Sequence, residues 1–170
     1  MTVRDAIYDR FQRLEKKVRA LEGAQKMKFA TRLGLDLELG GTPLSSPRSG
    51  DAGYDLRATE KRVLYPNMRI QVSTGIFVAI PEGYVGIIKD RSSMALKGIR
   101  THGGVIDSSY RGELIVMLSN LSEGVLFIEK GERVAQLLIV PCITPELEEV
   151  SFAELGKTER GSDGFGSTGR

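Results

Sequence analysis

The feature that constrains this chain most is a change of rhythm at Met27. From there on, apolar stretches are short, rich in β-branched residues, and parted by glycine and proline at spacings of roughly 8 to 12 residues. No later segment repeats apolar residues at helical spacing over ten or more positions, so the crossover helices that a βαβ fold needs are missing. KFATRL, KRVLYP, MRIQVSTGIFVAIP, YVGIIKD, ELIVMLSN, VLFIEK and RVAQLLIVP read as strands, the third as two strands parted near Gly75. Turn signals such as Pro81-Glu82-Gly83 between them predict an all-β sandwich or jelly roll. There is no internal repeat.

The ends differ from this body. Residues 1–26 hold one glycine and no proline, and Ile7, Phe11, Leu14, Val18 and Leu21 follow one another at spacings of four, three, four and three. That is a heptad stripe, with Phe11 and Val18 at a and Ile7, Leu14 and Leu21 at d, and with charged residues on the other faces. Such a short helix is marginal alone, so it needs a partner surface. Its own domain, a coiled coil between subunits and a separate protein all fit, whereas the mixed charges argue against a membrane. The tail RGSDGFGSTGR has four glycines in eleven residues. Three regions follow: a helical extension over 1–26, a β domain over 27–159, and a flexible arm over 160–170.

Charge excludes several classes of function. The 24 basic and 22 acidic residues leave a formal charge of +2, so no global field calls for nucleic acid or an anionic membrane, and any anion site must be local. No apolar run approaches the ~18 residues that span a bilayer, and the start MTVRDAIYDR lacks the apolar core of a secretion signal. A cytoplasmic, non-secreted protein is expected, in a host cytoplasm if the source is viral. Cys142, the one cysteine, cannot form an internal disulfide, and its place after Leu137 reads as a buried strand where it packs as a small apolar residue.

Four polar stretches, three of them with glycine, are more than strands require: DAGYDL (51–56), DRSSMA (90–95), GGVIDSSYRGE (103–113) and RGSDGFGSTGR (160–170). Arg91, Ser92 and Ser93 offer a guanidinium, two hydroxyls and successive N–H groups at the start of a short helical turn, which suits phosphate oxygens. A helix cap beside a surface arginine reads the same. Val105 and Ile106 before Asp107-Ser108-Ser109 read as a hairpin, with Gly103 and Gly104 permitting close backbone approach to a planar base. Asp107 has the chemistry to take a proton from an attacking water, and it is equally a favoured turn residue. Asp55 suits a role in orienting the waters of Mg²⁺, a cation that prefers oxygen ligands and keeps much of its hydration, or a turn. In the tail, Phe165 has no core to join, and with Arg160, Ser167 and Thr168 it describes either a lid over a nucleotide or a disordered end. His102 lacks the neighbours for a transition-metal site.

In this order, these stretches and KGERVAQL (130–137) resemble the five motifs of the trimeric dUTPase family over about residues 27–170. The resemblance implies a jelly-roll subunit, a homotrimer with three active sites between subunits, and an arm that closes a neighbour's site. It also implies Mg²⁺-dependent hydrolysis of dUTP to dUMP and pyrophosphate, lowering dUTP and supplying dUMP for thymidylate synthesis. By the same resemblance the backbone of Gly104, Val105 and Ile106 reads uracil, Tyr110 lies under deoxyribose, and Asp107 activates water. Arg91, Ser92, Ser93 and Gln136 hold the phosphates; Arg160, Gly166, Ser167 and Thr168 close over them; and Phe165 stacks on the base.

Two positions depart from the family's pattern: Asp90, where glycine or proline is usual, and Thr101, where many bacterial relatives carry asparagine. The dCTP deaminases, bifunctional members included, share the fold and the RSS-A run. Their catalytic glutamate would fall in a strand that here reads Leu114, Ile115, Val116 and Met117. A dUTPase-like regulator that binds a partner through residues 1–26 is a further alternative.

Overall fold

A computed structural model of the chain describes residues 27–31, 44, 49–158 and 161. The stripe at 1–26 and the arm residues Arg160, Phe165, Gly166, Ser167 and Thr168 lie outside the described residues. Among the described residues ten strands form three antiparallel sheets. In chain order they are β1 (Lys28–Thr31), β2 (Tyr54–Arg57), β3 (Arg62–Leu64), β4 (Arg69–Ala79), β5 (Tyr84–Lys89), β6 (Ile99–His102), β7 (Val105–Ile106), β8 (Glu113–Asn120), β9 (Leu126–Ile128) and β10 (Arg133–Pro141). A five-residue helix, α1 (Ser92–Leu96), follows β5, and a 3-10 turn (Phe152–Leu155) lies near the C-terminus.

The first sheet has the order β1-β4-β8-β6, the second β2-β10-β5-β7, and β3 pairs with β9 as a separate ribbon. Alternation along the strands selects the core. Leu114, Val116 and Leu118 of β8 point inward while Ile115 and Met117 between them stay exposed. Val72, Ile76 and Val78 of β4, Leu56 of β2, Ile88 of β5, Val134 and Leu137 of β10, and Leu64 and Ile128 of the ribbon join them in one buried cluster that also takes in Leu44. The two sheets therefore share one core, as a jelly-roll-like subunit requires.

Several expectations need correction. MRIQVSTGIFVAIP is one strand, not two: β4 runs through Gly75, and its register with β8 slips between Ser73 and Phe77. Gly75 has φ +67°, and its N–H donates to Glu113 Oε1 at 2.7 Å, so a side chain on β8 satisfies the backbone that the bulge frees. Cys142 is exposed, not buried, because β10 has already left the core by Val140, and its N–H donates to Gly83 O at 2.8 Å. GGVIDSSYRGE is not a ladder hairpin. β7 pairs with β5 of the second sheet, whereas the following strand, β8, pairs with β4 and β6 of the first. Gly103 (φ +64°) and Gly104 (φ +92°) turn the chain from one sheet to the other.

Candidate active site

The site is built on one face of the second sheet. Gln136 of β10 lies opposite Asp55 of β2 on one side and Lys89 of β5 on the other, so the three share a face. Gly53, in the same stretch as Asp55, brings β2 close. A Cβ there would meet Leu138 Cδ2 at 2.8 Å and Leu137 O at 3.1 Å, which only glycine avoids. The register of β10 against β2 slips between Arg133 and Ala135, and Val134 and Ala135 are both fully buried. This bulge interrupts the alternation, so Arg133 emerges on the face of Gln136.

Asp55 consequently sits between two guanidinium groups, Arg91 Nε at 2.8 Å from Oδ1 and Arg133 Nη1 at 3.2 Å from Oδ2. Its side chain keeps 29% of its surface exposed, so the cluster opens to solvent. Among the described residues no group of three or more His, Cys, Asp or Glu side chains is placed to hold a metal ion. Any cation here must take most of its ligands from elsewhere.

After Lys89 the chain bends at Asp90 and starts α1. Arg91 is extended (φ −86°, ψ 142°), and its carbonyl accepts the N–H of Met94 and of Ala95 at 3.0 Å. The amides and hydroxyls of Ser92 and Ser93, both exposed, therefore precede the first bonds of the helix. Buried Met94 anchors this turn to the core. Gln136 Nε2 donates to Asp90 O at 2.9 Å and fixes the bend from β10.

The carboxylate of Asp90 is turned to β6. Oδ1 accepts the N–H and the hydroxyl of Thr101, each at 2.6 Å, and Oδ2 pairs with Arg100 Nε at 2.8 Å. Burial pushes the Asp90 carboxyl up, but the Thr101 bonds and the charges of Arg100 and Lys89 outweigh it and hold it below its ordinary value. The two departures from the family pattern are thus partners in one contact. Beyond Thr101, His102 Nε2 lies 2.7 Å from Ser119 Oγ, so the lone histidine is tied to β8.

The base-reading candidates lie on β7. Ile88 N–H donates to Gly104 O at 2.7 Å, and β7 then pairs Val105 with Ile87 and Ile106 with Gly86. A Cβ on Gly104 would meet Ile88 O at 2.9 Å, so glycine is required there. Hydrogen-bonded pairs alternate along an antiparallel ladder, so Val105, between two bonded positions, turns its N–H and C=O away from β5. Among the described residues β7 ends its sheet and no strand pairs with its outer edge.

Asp107 follows, exposed, with its carbonyl accepting the Tyr110 N–H at 3.1 Å. Tyr110 donates its hydroxyl to Glu113 O at 2.9 Å, and Arg111 Nη1 donates to Ser108 O at 2.6 Å and Tyr110 O at 2.7 Å, which stiffens the turn. The structure thus joins Asp55, Arg91 and Gln136, and carries Val105 and Ile106 on β7, with Gly104 directly before it. Asp107 and Tyr110 are in the turn beyond. Arg133 was missed as a site residue. Its signal lay in KGERVAQL (130–137), three residues before Gln136, but only the bulge brings it to the same face.

The family model described as dUTPase matches residues 42–169. The deoxyuridine 5'-triphosphate nucleotidohydrolase of Candida albicans is 39% identical over 153 residues, 88% of this chain and 96% of that protein. Its namesake from Paramecium bursaria Chlorella virus 1 is 48% identical over 121 residues, 71% of this chain and 84% of that protein. The solved dUTPase of Staphylococcus bacteriophage 80alpha with dUpNHpp superimposes with a TM-score of 0.77 at 32% identity, covering 86% of this chain and 100% of that one.

Proposed function

The chain belongs to the dUTPase family, and from that premise we propose that it hydrolyses dUTP to dUMP and pyrophosphate across the face that carries Asp55, Gln136 and Lys89. One observation carries this reading: an open strand edge and a guanidinium are held by the same strand end. Ile88 fixes β7 through Gly104, and Arg91 follows three residues later. Uracil presents an N–H flanked by two carbonyl oxygens, which complements the C=O and N–H that Val105 offers. Cytosine presents an amino group where uracil has an oxygen, and meets the wrong partner. The backbone of Gly104, Val105 and Ile106 reads the base, and the Tyr110 ring supports the deoxyribose and leaves no room for a 2'-hydroxyl.

Arg91, Ser92, Ser93 and the second amide proton of Gln136 face the phosphates. Arg160, Gly166, Ser167 and Thr168 close over their far end, and Phe165 stacks on the base. Asp107 takes the proton of a water that attacks the α-phosphorus in line, and the charge that builds on the phosphate oxygens is met by fixed donors. Mg²⁺ fits the donor set, since this hard cation is commonly held by substrate phosphates, water and one carboxylate, and Asp55 would accept hydrogen bonds from such waters. When bound, it neutralises phosphate charge. The arm serves a neighbouring subunit of a homotrimer. Ile143, Leu147, Phe152 and Leu155, which lead to it, are each at least 69% exposed on the isolated chain, as residues awaiting a second surface would be.

The test is an assay of the full chain with dUTP, dCTP, dTTP and UTP and Mg²⁺, following pyrophosphate and ammonia separately. Pyrophosphate from dUTP alone is expected. Ammonia from dCTP would make the chain a deaminase, and silence on all four would remove catalysis from its function.

A further inference from the structure

Asp90 joins more of the site than any residue given a role above. Its main-chain carbonyl holds Gln136 of β10 at 2.9 Å, and its carboxylate holds Thr101 twice at 2.6 Å and Arg100 at 2.8 Å, both on β6. It lies directly before Arg91, and its side chain is only 17% exposed, so these bonds form where water competes weakly.

What the junction restrains is a short crossing of the chain. Between Thr101 and Val105 the backbone leaves the first sheet and joins the second through His102, Gly103 and Gly104. The two glycines have no side chains to pack, and both have positive φ. Ile88 holds the far end of the crossing through Gly104 O at 2.7 Å. Asp90 holds the near end through Thr101. Both anchors belong to one strand end, and the residue after Asp90 is the arginine that faces the phosphates.

We propose that Asp90 is a positioning residue that acts through Thr101 to fix the distance between the uracil-reading edge of β7 and the phosphate-binding turn at 91–93. This rests on the dUTPase reading given above. A ligand that occupies only the base half is indifferent to that distance, whereas a triphosphate must satisfy both halves at once and feels any slack. Asp90 touches neither base nor phosphate. Its carboxylate is satisfied by β6, which is why a negative charge is tolerated one residue from Arg91.

The experiment compares full-chain Asp90→Ala, Asp90→Asn, Thr101→Val and the Asp90→Ala/Thr101→Val double variant with the parent, each at a temperature where its melting curve shows it folded. It reads kcat and KM for dUTP, the Kd of deoxyuridine, and the Kd of the non-hydrolysable dUpNHpp. Losing hydrogen bonds to a charged group implies that Asp90→Ala weakens dUpNHpp and lowers kcat by about tenfold each, while deoxyuridine binding changes less than about twofold. Asp90→Asn, which keeps an oxygen for both Thr101 donors, should recover most of the loss. Thr101→Val should lose part of it, and should add nothing further in the Asp90→Ala background, since the two act through one contact.

A residue that only stabilised the fold would lower the melting temperature and leave the ratio of the two dissociation constants unchanged, and that outcome overturns the proposal. Additive losses in the double variant overturn it too. Should Asp90→Ala fail to fold, Thr101→Val against the parent carries the same comparison, with Asp90→Asn as the conservative control. A parent protein inactive on dUTP would defeat the dUTPase reading itself, whereas an active parent with an unchanged ratio in the variants defeats the positioning role alone.

Discussion

Two polar junctions of this molecule show opposite designs. At the end of β8, Asn120 is fully buried, and Nδ2 donates to Leu64 O at 3.0 Å and Gly124 O at 2.7 Å. Its Oδ1 accepts the N–H and the hydroxyl of Ser122 at 2.8 and 2.7 Å. Every bonding position of that amide is filled from within the chain, and it ties the ribbon, β8 and the following turn into one unit. At the other junction Asp55 holds Arg91 and Arg133 at a surface that stays partly exposed, beside the unbonded hydroxyls and amides of 92–93 and the open edge of β7. A closed junction serves stability; an open one keeps donors for a ligand. Among the described residues no buried side-chain nitrogen or oxygen lacks a partner, so the unfilled capacity is confined to the surface.

The contrast breaks first at Asp107. Replacing it with asparagine removes the proposed base and no internal contact, so dUTP turnover should fall by roughly 10²–10⁴-fold with an unchanged melting curve. A parallel loss of stability would mean that this turn, too, is structural. Asn120→Ala is the mirror experiment. Several buried groups lose their partner together, which costs about 3 kcal/mol in denaturant unfolding, while kcat of the folded fraction stays within about twofold. Asp55→Asn should lie between them: both guanidiniums lose their charged anchor, so kcat/KM drops by about tenfold with little change in stability.

The smallest effect sharpens the same contrast in acid. Burial pushes the Glu132 carboxyl up, but the Glu129 N–H and the Lys97 ammonium, 2.9 Å away, more than offset it, and the group lies below its ordinary value. A depressed value means stability that is full above the ordinary carboxylate range of about 4 and is lost as pH falls through the folded value. Glu132→Gln should therefore lower the melting temperature slightly at neutral pH and flatten its acid limb below about pH 4.5, so that the two curves converge in acid. A variant as acid-sensitive as the parent would assign that limb to other carboxylates.

How much of this was legible in the sequence follows from where each signal resides. The all-β class and the long strands β5, β8 and β10 were legible because alternation and turn residues are local, whereas β4 was found but read as two strands, because Gly75 looks like a break in the sequence and is a bulge in the fold. β2, β6 and β7 were not read as strands, since Tyr54–Arg57, Ile99–His102 and Val105–Ile106 are only two to four residues long and owe their pairing to strands far along the chain. The stretches that resembled a nucleotide site were found, but Arg133 was not, because a register slip sets its direction. Asp90 and Thr101 read as separate oddities. The contact that explains both crosses from one sheet to the other, and no periodicity within a strand records that.

The open edge of β7 also bears on colloidal behaviour. An unpaired strand edge is a template on which a second chain can add, and long flat ones seed aggregates. β7 is two residues long and is entered through two glycines with positive φ that no regular strand continues. An intruding strand would find too short a ladder to extend, whereas the planar base proposed to bind there needs no more. Brevity at this point lets the folded chain keep unpaired backbone groups in water without inviting intermolecular sheet growth.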